Sequence, residues 1–381
     1  MRKMAYTVTV SNVTPIEGKD RIQVINFKEN GYNVIASKEI KVGDVVMYFE
    51  VDSILPVCDK FEFLRKRCFK QSLNGFLIKN MKMFNIYSNG LVMTQKELGI
   101  DFNKSGVDYT DKLKVGKYEP EDDASPKPDK KGFMSFLWKY SLTRPIAKFI
   151  AAFLKKDTKK VFPTHLIHKS DETNIQNMPK MFYVWEKIPC YITAKMEGQS
   201  VTVVYEKGFR NKVTVFGRNY AGNDKHYAYF NKTDLFDEIK KYVNSKGCKS
   251  IAIQGEFCAP SVQGGIYQNG THFYVYRVNI DGKSVDLHEL YAICEKLNLE
   301  HVPVLMELPY GYGESFKDVS EIQEYVEHLW FTKGDVKTYL DSSGIEINKN
   351  TMHRHEGIVV RSMDSTTFSF KVKSNEYQLN K

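Results

Sequence analysis

The sequence predicts a two-domain α+β protein whose first domain is a small antiparallel β-barrel, and three observations carry that prediction. The 381 residues exceed the size at which one hydrophobic core usually stops growing. Short runs of alternating apolar and polar residues, TVTVSNV, DRIQVINF, YNVIAS and VVMYFEV, fall within residues 5–56 and read as strands. A break with three prolines and no large apolar residue, EPEDDASPKPDKK at 119–131, separates them from a second region that begins near Val161.

Within the first domain, the turn signals Glu17-Gly18, Asn30-Gly31 and Val42-Gly43-Asp44 come at intervals suited to a small barrel. Further strands follow in GFLIKNMKMFNIYSNGLVM, so this domain is expected to span 1–118. The basic run Leu64-Arg65-Lys66-Arg67 lies among Phe61, Phe63 and Phe69. That composition can combine phosphate attraction with base stacking, and it equally suits a solvated basic turn whose phenylalanines pack into the barrel. Residues 119–160 are expected to hold the linker and an amphipathic helical segment, GFMSFLWKYSLTRPIAKFIAAFLKK, broken at Pro145. Lys139, Arg144 and Lys148 interrupt it too often for a transmembrane span, and no membrane partner is expected.

Lys plus Arg outnumber Asp plus Glu by 55 to 46, a formal net charge of +9. Such a field favours polyanions and suits a nucleic-acid partner without establishing one. Cys58, Cys68, Cys190, Cys248, Cys258 and Cys294 show no CxxC or Cys/His ligand spacing, so reduced thiols are expected rather than a zinc site. MRKMAYTVTV carries no long apolar run after its basic start, so no signal peptide is expected and the cytoplasm or nucleus is the expected place.

The chemistry lies in 161–381. In YITAKMEGQSVTVVY, Lys195 sits in a strand-like run, with Gly198 three residues on and another strand-like run at 201–205. A strand's period of two puts Lys195 and Glu197 on one face, and the glycine lets backbone approach a ligand closely. Alone, a lysine before a glycine reads as a surface residue at a hairpin. The elements that follow change that reading. TVFGRNY supplies Arg218, a fixed cation suited to phosphate. SIAIQGEFCAP ends an apolar strand at Gly255-Glu256, placing a carboxylate that can hold a ribose hydroxyl or a metal. In FYVYRVNIDGK alternation puts Tyr274 and Tyr276 on one face, where one can stack on adenine, and Phe273 and Val275 on the other. HEGIVVRSM offers Glu356 and Arg361, and TFSFKVKSNEY offers Lys371 and Lys373 at i and i+2 on one face, a poor arrangement for stability but a good one for gripping a triphosphate.

KMEG, GRN, GE, FYVYRV, EGIVVR and KVK, in that order, resemble the successive motifs of the covalent nucleotidyltransferase superfamily of ligases and capping enzymes. The match spans roughly 161–376. The first domain, through IEGKDRIQV, KVGDVVMYFEVDSILP and IKNMKM...SNGLVM, resembles the OB-fold domain at the N-terminus of one RNA-ligase class. Related small barrels also occur in tRNA-binding modules. An OB domain before the transferase, with eight residues after Lys373, and the segment FPTHLIHKSDETNIQNMP together resemble the ATP-dependent RNA-ligase class first recognised in Deinococcus.

The resemblance implies an OB-type barrel followed by a nucleotidyltransferase domain of antiparallel sheets with flanking helices. It implies ATP with Mg²⁺ or Mn²⁺ as cofactors, and RNA or an RNA-containing nicked duplex as partner of a monomeric enzyme. It makes Lys195 the nucleophile, Glu256 and Glu356 the ribose or metal ligands, Tyr276 the adenine partner and Arg218 a phosphate ligand. Glu197 and Gly198 would line the nucleotide site, and Lys371 and Lys373 would stabilise charge on the reacting phosphates. Two positions depart from common patterns: Tyr276 stands where relatives often have phenylalanine, and Arg277 where an acidic residue is common. A DNA ligase, an RNA-capping guanylyltransferase and a non-enzymatic RNA-binding OB protein are the competing readings.

Overall fold

The computed structural model describes residues 3–118, 161–329 and 355–379, apart from 171, 209–211, 220, 222–223, 261 and 263–269. The expected linker and helical segment of 119–160 lie outside the described residues. The chain divides into two compact units, one within Met1–Pro120, Asp171–Lys195 and Pro303–Lys381, the other within Glu121–Ser170 and Met196–Val302.

The N-terminal part of the first unit is built from β1 (Ala5–Pro15), β2 (Ile22–Phe27), β3 (Asn33–Ser37), β4 (Val45–Phe49), β5 (Ser53–Pro56), β6 (Phe69–Lys70), β7 (Gly75–Leu77), β8 (Met81–Met83), β9 (Ile86–Ser88), β10 (Leu91–Met93) and β11 (Gly116–Lys117). The order β10-β4-β1-β2-β3 forms the barrel sheet, and β11-β5-β7-β6 a smaller second sheet. β1 pairs with β4 through residues 5–9 and with β2 through residues 10–15, with a bulge between Val10 and Asn12. One long strand thus turns the corner between two partners, as small barrels require. VVMYF is apolar throughout because β4 is buried on both faces. Val46 and Tyr48 join a core with Val8, Ile25 and Val34, while Met47 and Phe49 join another with Leu55, Phe61 and Phe76. Two of the three expected turns place glycine in the left-handed region, Gly18 at φ 65° and Gly43 at φ 93°. The third works differently: Asn30 Oδ1 accepts the Tyr32 N–H at 3.1 Å, so the asparagine side chain makes the bend.

The strands beyond the barrel are β12 (Thr173–Asn174), β13 (Cys190–Ala194), β14 (Gln199–Glu206), β15 (Val213–Phe216), β16 (Ser250–Cys258), β17 (His272–Ile280), β18 (Lys283–Ser284), β19 (Glu300–His301), β20 (Val304–Leu308), β21 (Gly357–Ser362) and β22 (Ser369–Lys373). In the first unit they form the sheet β12-β22-β21-β13-β20. One face of it, Cys190, Ile192, Ile358, Val360, Phe370 and Val372, packs against Phe182 of the helix Pro179–Trp185 and Ile322 and Val326 of the helix Val319–Glu327. Each such aliphatic side chain, fully buried, contributes roughly 1.5–3 kcal/mol relative to exposure.

The second unit holds β15-β14-β16-β17-β18, with β19 on β17. Val201, Val203, Val215, Ile251, Ile253, Phe273 and Val275 point to one face, under the helices Leu235–Lys246 and Leu287–Lys296. On the other face Phe162, Leu166 and Ile167 cover Val204, Phe216 and Ala252 at one end. The other end of that face carries polar residues. Among the described residues, no helix is long and apolar enough to cross a membrane.

Candidate active site

β13 is buried along its whole length and ends at Ala194, so Lys195 leads the chain out of the sheet while its N–H still bonds the Gly357 carbonyl at 2.9 Å. Lys195 and Glu197 therefore lie in the turn between β13 and β14, and strand alternation does not relate them. Lys195 Nζ is 2.9 Å from Glu356 Oε1, with the lysine side chain 23% exposed and the carboxylate 5%. The two residues meet because Glu356 immediately precedes β21, which pairs with β13.

Gly357 makes this head of the strand possible. Its φ of 145° disfavours any side chain, and a Cβ there would meet the Val372 carbonyl at 2.1 Å. The Ser374 N–H donates to the Glu356 carbonyl at 3.0 Å, and the Gly357 N–H donates to His355 Nδ1 at 3.2 Å. Burial pushes the His355 imidazole down to about 4, against the opposing pull of Glu356, so the ring is neutral at physiological pH.

β22 alternates as its sequence predicts: Phe370 and Val372 enter the core, and Lys371 and Lys373 take the opposite face. Lys371 stands across from Val359 and Lys373 across from Gly357. Since Lys195 bonds the other edge of Gly357, its backbone lies two strand spacings from that of Lys373, roughly 10 Å. Lys195, Glu356, Lys371 and Lys373 are thus brought to one region of one sheet. The strand is anchored just beyond its last lysine. Glu327 accepts the Asn375 N–H at 2.6 Å and the Ser374 hydroxyl at 2.9 Å, and Gln323 donates to the Lys373 carbonyl at 2.9 Å. From the barrel, Asn89 donates to Asn375 Oδ1 at 3.0 Å.

The remaining predicted residues lie in the second unit. A Cβ on Gly198 would meet the Phe257 carbonyl at 2.6 Å and Glu256 Cγ at 2.9 Å, so the turn passes directly over β16 and admits only glycine. Glu197 beside it is buried. β16 continues to Cys258 rather than ending at Glu256, which puts that carboxylate within the sheet. Ser200, Glu256 and Tyr274 stand directly across from one another on β14, β16 and β17, so they share a face. Tyr276 sits at a bulge where Gln254 opposes Arg277 and Gly255 opposes Val275. Its ring is buried, and its hydroxyl bonds Ser200 Oγ at 2.7 Å and Ser170 Oγ at 2.8 Å. Arg218, half-buried, follows β15 by two residues.

Sequence reasoning missed His355, Gly357 and Glu172 beside the motif residues of the first unit, and Ser170 and Ser200 beside those of the second. Glu172 Oε1 lies 2.7 Å from Arg361, which is buried on the same face as Lys371. Only Gly357 left a signal, a glycine between a glutamate and a β-branched run. A cavity of about 450 Å³ in the first unit, bordered by Tyr6, Glu29, Glu50 and Glu172, holds none of the motif residues. Among the described residues no group of three or more His, Cys, Asp or Glu side chains is placed to hold a metal.

Residues 188–373 match the RNA ligase family, and residues 4–95 match an OB-fold domain. No curated protein sequence matches the chain significantly. Among solved structures, a mutant of Naegleria gruberi RNA ligase with AMP and Mn has a TM-score of 0.75 at 22% identity, covering 100% of this chain and 99% of that one. The same ligase with PPi gives 0.72 at 23% identity, and another mutant with ATP and Mn gives 0.74 at 21%, both with the same coverage. Residues 188–373 are thus similar to the RNA ligase family, and a segment similar to an OB-fold domain precedes them.

Proposed function

We propose that this protein is an RNA ligase that uses ATP to join a 3′-hydroxyl to a 5′-phosphate at a nick held in a duplex, through a lysyl-AMP on Lys195. The observation that carries the proposal is the Lys195–Glu356 pair, 2.9 Å apart and next to Gly357, with Lys373 across the neighbouring strand. ATP, AMP and pyrophosphate, the species connected by the first step, each occur in structures of Naegleria gruberi RNA ligase.

In that step the Lys195 amine attacks the α-phosphorus of ATP. A P–N bond forms, the bond to the bridging oxygen breaks, pyrophosphate leaves with the electron pair, and the amine loses a proton. A 5′-phosphate oxygen of the RNA then attacks the adenylyl phosphorus, the P–N bond breaks and Lys195 regains a proton. Last, the 3′-hydroxyl attacks the 5′-phosphorus, gives up its proton and expels AMP.

Glu356 positions Nζ before attack, and Lys371 and Lys373 stabilise charge growing on the phosphate oxygens. Arg218 binds phosphate, Tyr276 lies against adenine, Glu256 holds ribose or metal, and Glu197 and Gly198 shape the nucleotide's surroundings. Glu256 and Glu356 are the carboxylates that would hold Mg²⁺ or Mn²⁺, which when bound would neutralise and orient the triphosphate.

The test is to label the protein with α-³²P-ATP or α-³²P-GTP and chase onto a panel of nicks that vary ribose and deoxyribose on each side. Label from ATP that passes to a 5′-phosphate beside a ribose 3′-end is expected. Labelling by GTP alone, or transfer only to all-DNA nicks, would overturn the proposal.

A further inference from the structure

Between β5 and β7 the barrel carries a segment whose side chains divide sharply by direction. Phe61 and Leu64 turn inward, 1% and 9% exposed, and join the core with Leu55 and Phe76. Phe69 packs edge-on against Phe76. Phe63, between two inward residues, turns outward and is 63% exposed. The basic turn is therefore not one whose phenylalanines are all buried.

The cations around Phe63 also divide. Arg65 is already engaged: its Nε and Nη2 meet the Glu62 carboxylate at 2.5 and 2.7 Å, and its guanidinium lies 4.5 Å from the Phe69 ring centre. Lys60, Lys66, Arg67 and Lys70 are exposed and, among the described residues, make no ion pair. A single exposed phenylalanine is ordinary on a protein surface. Four exposed cations without ion pairs within eleven residues, in the same segment as an exposed aromatic ring, are a different matter. They match a polyphosphate backbone whose bases offer flat faces for stacking. The segment lies before the residues that match the RNA ligase family, so the family's nucleotide chemistry leaves it unexplained.

We propose that residues 57–70 form an RNA-docking surface, with Lys60, Lys66, Arg67 and Lys70 on phosphates and Phe63 stacked on an unpaired base. A base must be out of a duplex to be stacked in this way, which points to a frayed or single-stranded stretch beside the end being joined. The proposal rests on the reading that the chain acts on RNA.

The experiment uses the full chain and a fluorescent nicked RNA duplex with a short single-stranded flank, and measures Kd across a salt series and self-labelling with ATP. Phe63→Ala should weaken RNA binding by about tenfold, within the range for losing one base–aromatic stack. Lys66→Ala/Arg67→Ala should lower the slope of log Kd against log salt by about 1.4 to 1.8, as expected for two lost phosphate contacts. Neither should change the rate of self-labelling, because neither touches the nucleotide residues.

Wild-type affinity and slope in both variants, with wild-type protein that labels and binds RNA, would overturn the surface alone. A wild-type protein that neither labels with ATP nor binds RNA would overturn the ligase reading and the surface with it. Anionic vesicle binding that depends on Phe63, with RNA affinity unchanged, would also overturn it and assign the patch to a lipid surface.

Discussion

Lys195 is one of 55 cationic residues, and what sets it apart is where its strand stops. One residue past a fully buried strand, it remains bonded through its backbone to Gly357 while its amine reaches the adjacent Glu356. Gly357 is the residue on which this geometry turns. Gly357→Ala adds a Cβ where the Val372 carbonyl leaves no room, in a backbone region that side chains avoid. A loss of roughly 3 kcal/mol in urea unfolding is expected, the scale of combined strain and overpacking. ATP self-labelling should fall with it even under conditions where the variant is folded, because Glu356 and Lys373 both flank that glycine. Wild-type stability in the variant would show that the strand can bend without a glycine.

At the scale of elements, the turn joining β21 to β22 sets how the glutamate and the two lysines are presented. Asp364 organises it, accepting from the Ser362 hydroxyl at 2.5 Å, the Thr367 hydroxyl at 2.6 Å and the Thr366 and Thr367 N–H groups at 2.9 and 3.0 Å. Partial burial works to raise the carboxyl, but those donors outweigh it and hold it well below the usual carboxylate range. A folded value below the unfolded one gives stability that is present above the ordinary carboxyl value of 3.8 and is lost as pH falls below it. Asp364→Ala should therefore cost about 1 kcal/mol near neutrality, as solvent competes for these bonds, and flatten the acid limb of the stability curve. Thermal melts from pH 7 to 2 check both, and parallel curves would contradict the assignment.

The same strands show what was legible in the sequence and what was not. Lys371 and Lys373 could be placed on one face because β22 is regular, and a regular strand repeats every two residues. Tyr276 could not be placed as well. Its bulge arises from β16 and β17 falling out of register, and its serine partners come from two further segments. The extent of β16 past Glu256 and the end of β13 before Lys195 are likewise set by neighbouring strands, and no local pattern encodes them. The barrel was easier to read because β4 has apolar side chains for two cores and its turns carry glycine at Gly18 and Gly43.

For the whole molecule, a net charge of +9 lies on a chain whose two units each have a buried core of their own. That charge attracts a polyanion from a distance and makes its capture depend on salt, but it does not choose the reaction. In the proposed mechanism the reaction is decided by one amine. Incubating wild-type protein and Lys195→Ala with ATP and Mg²⁺, then measuring intact mass, tests this most directly. Wild-type protein is expected to gain the mass of one AMP, with the adduct lost on adding pyrophosphate, and Lys195→Ala to gain nothing. An AMP adduct on Lys195→Ala would contradict the assignment of the nucleophile.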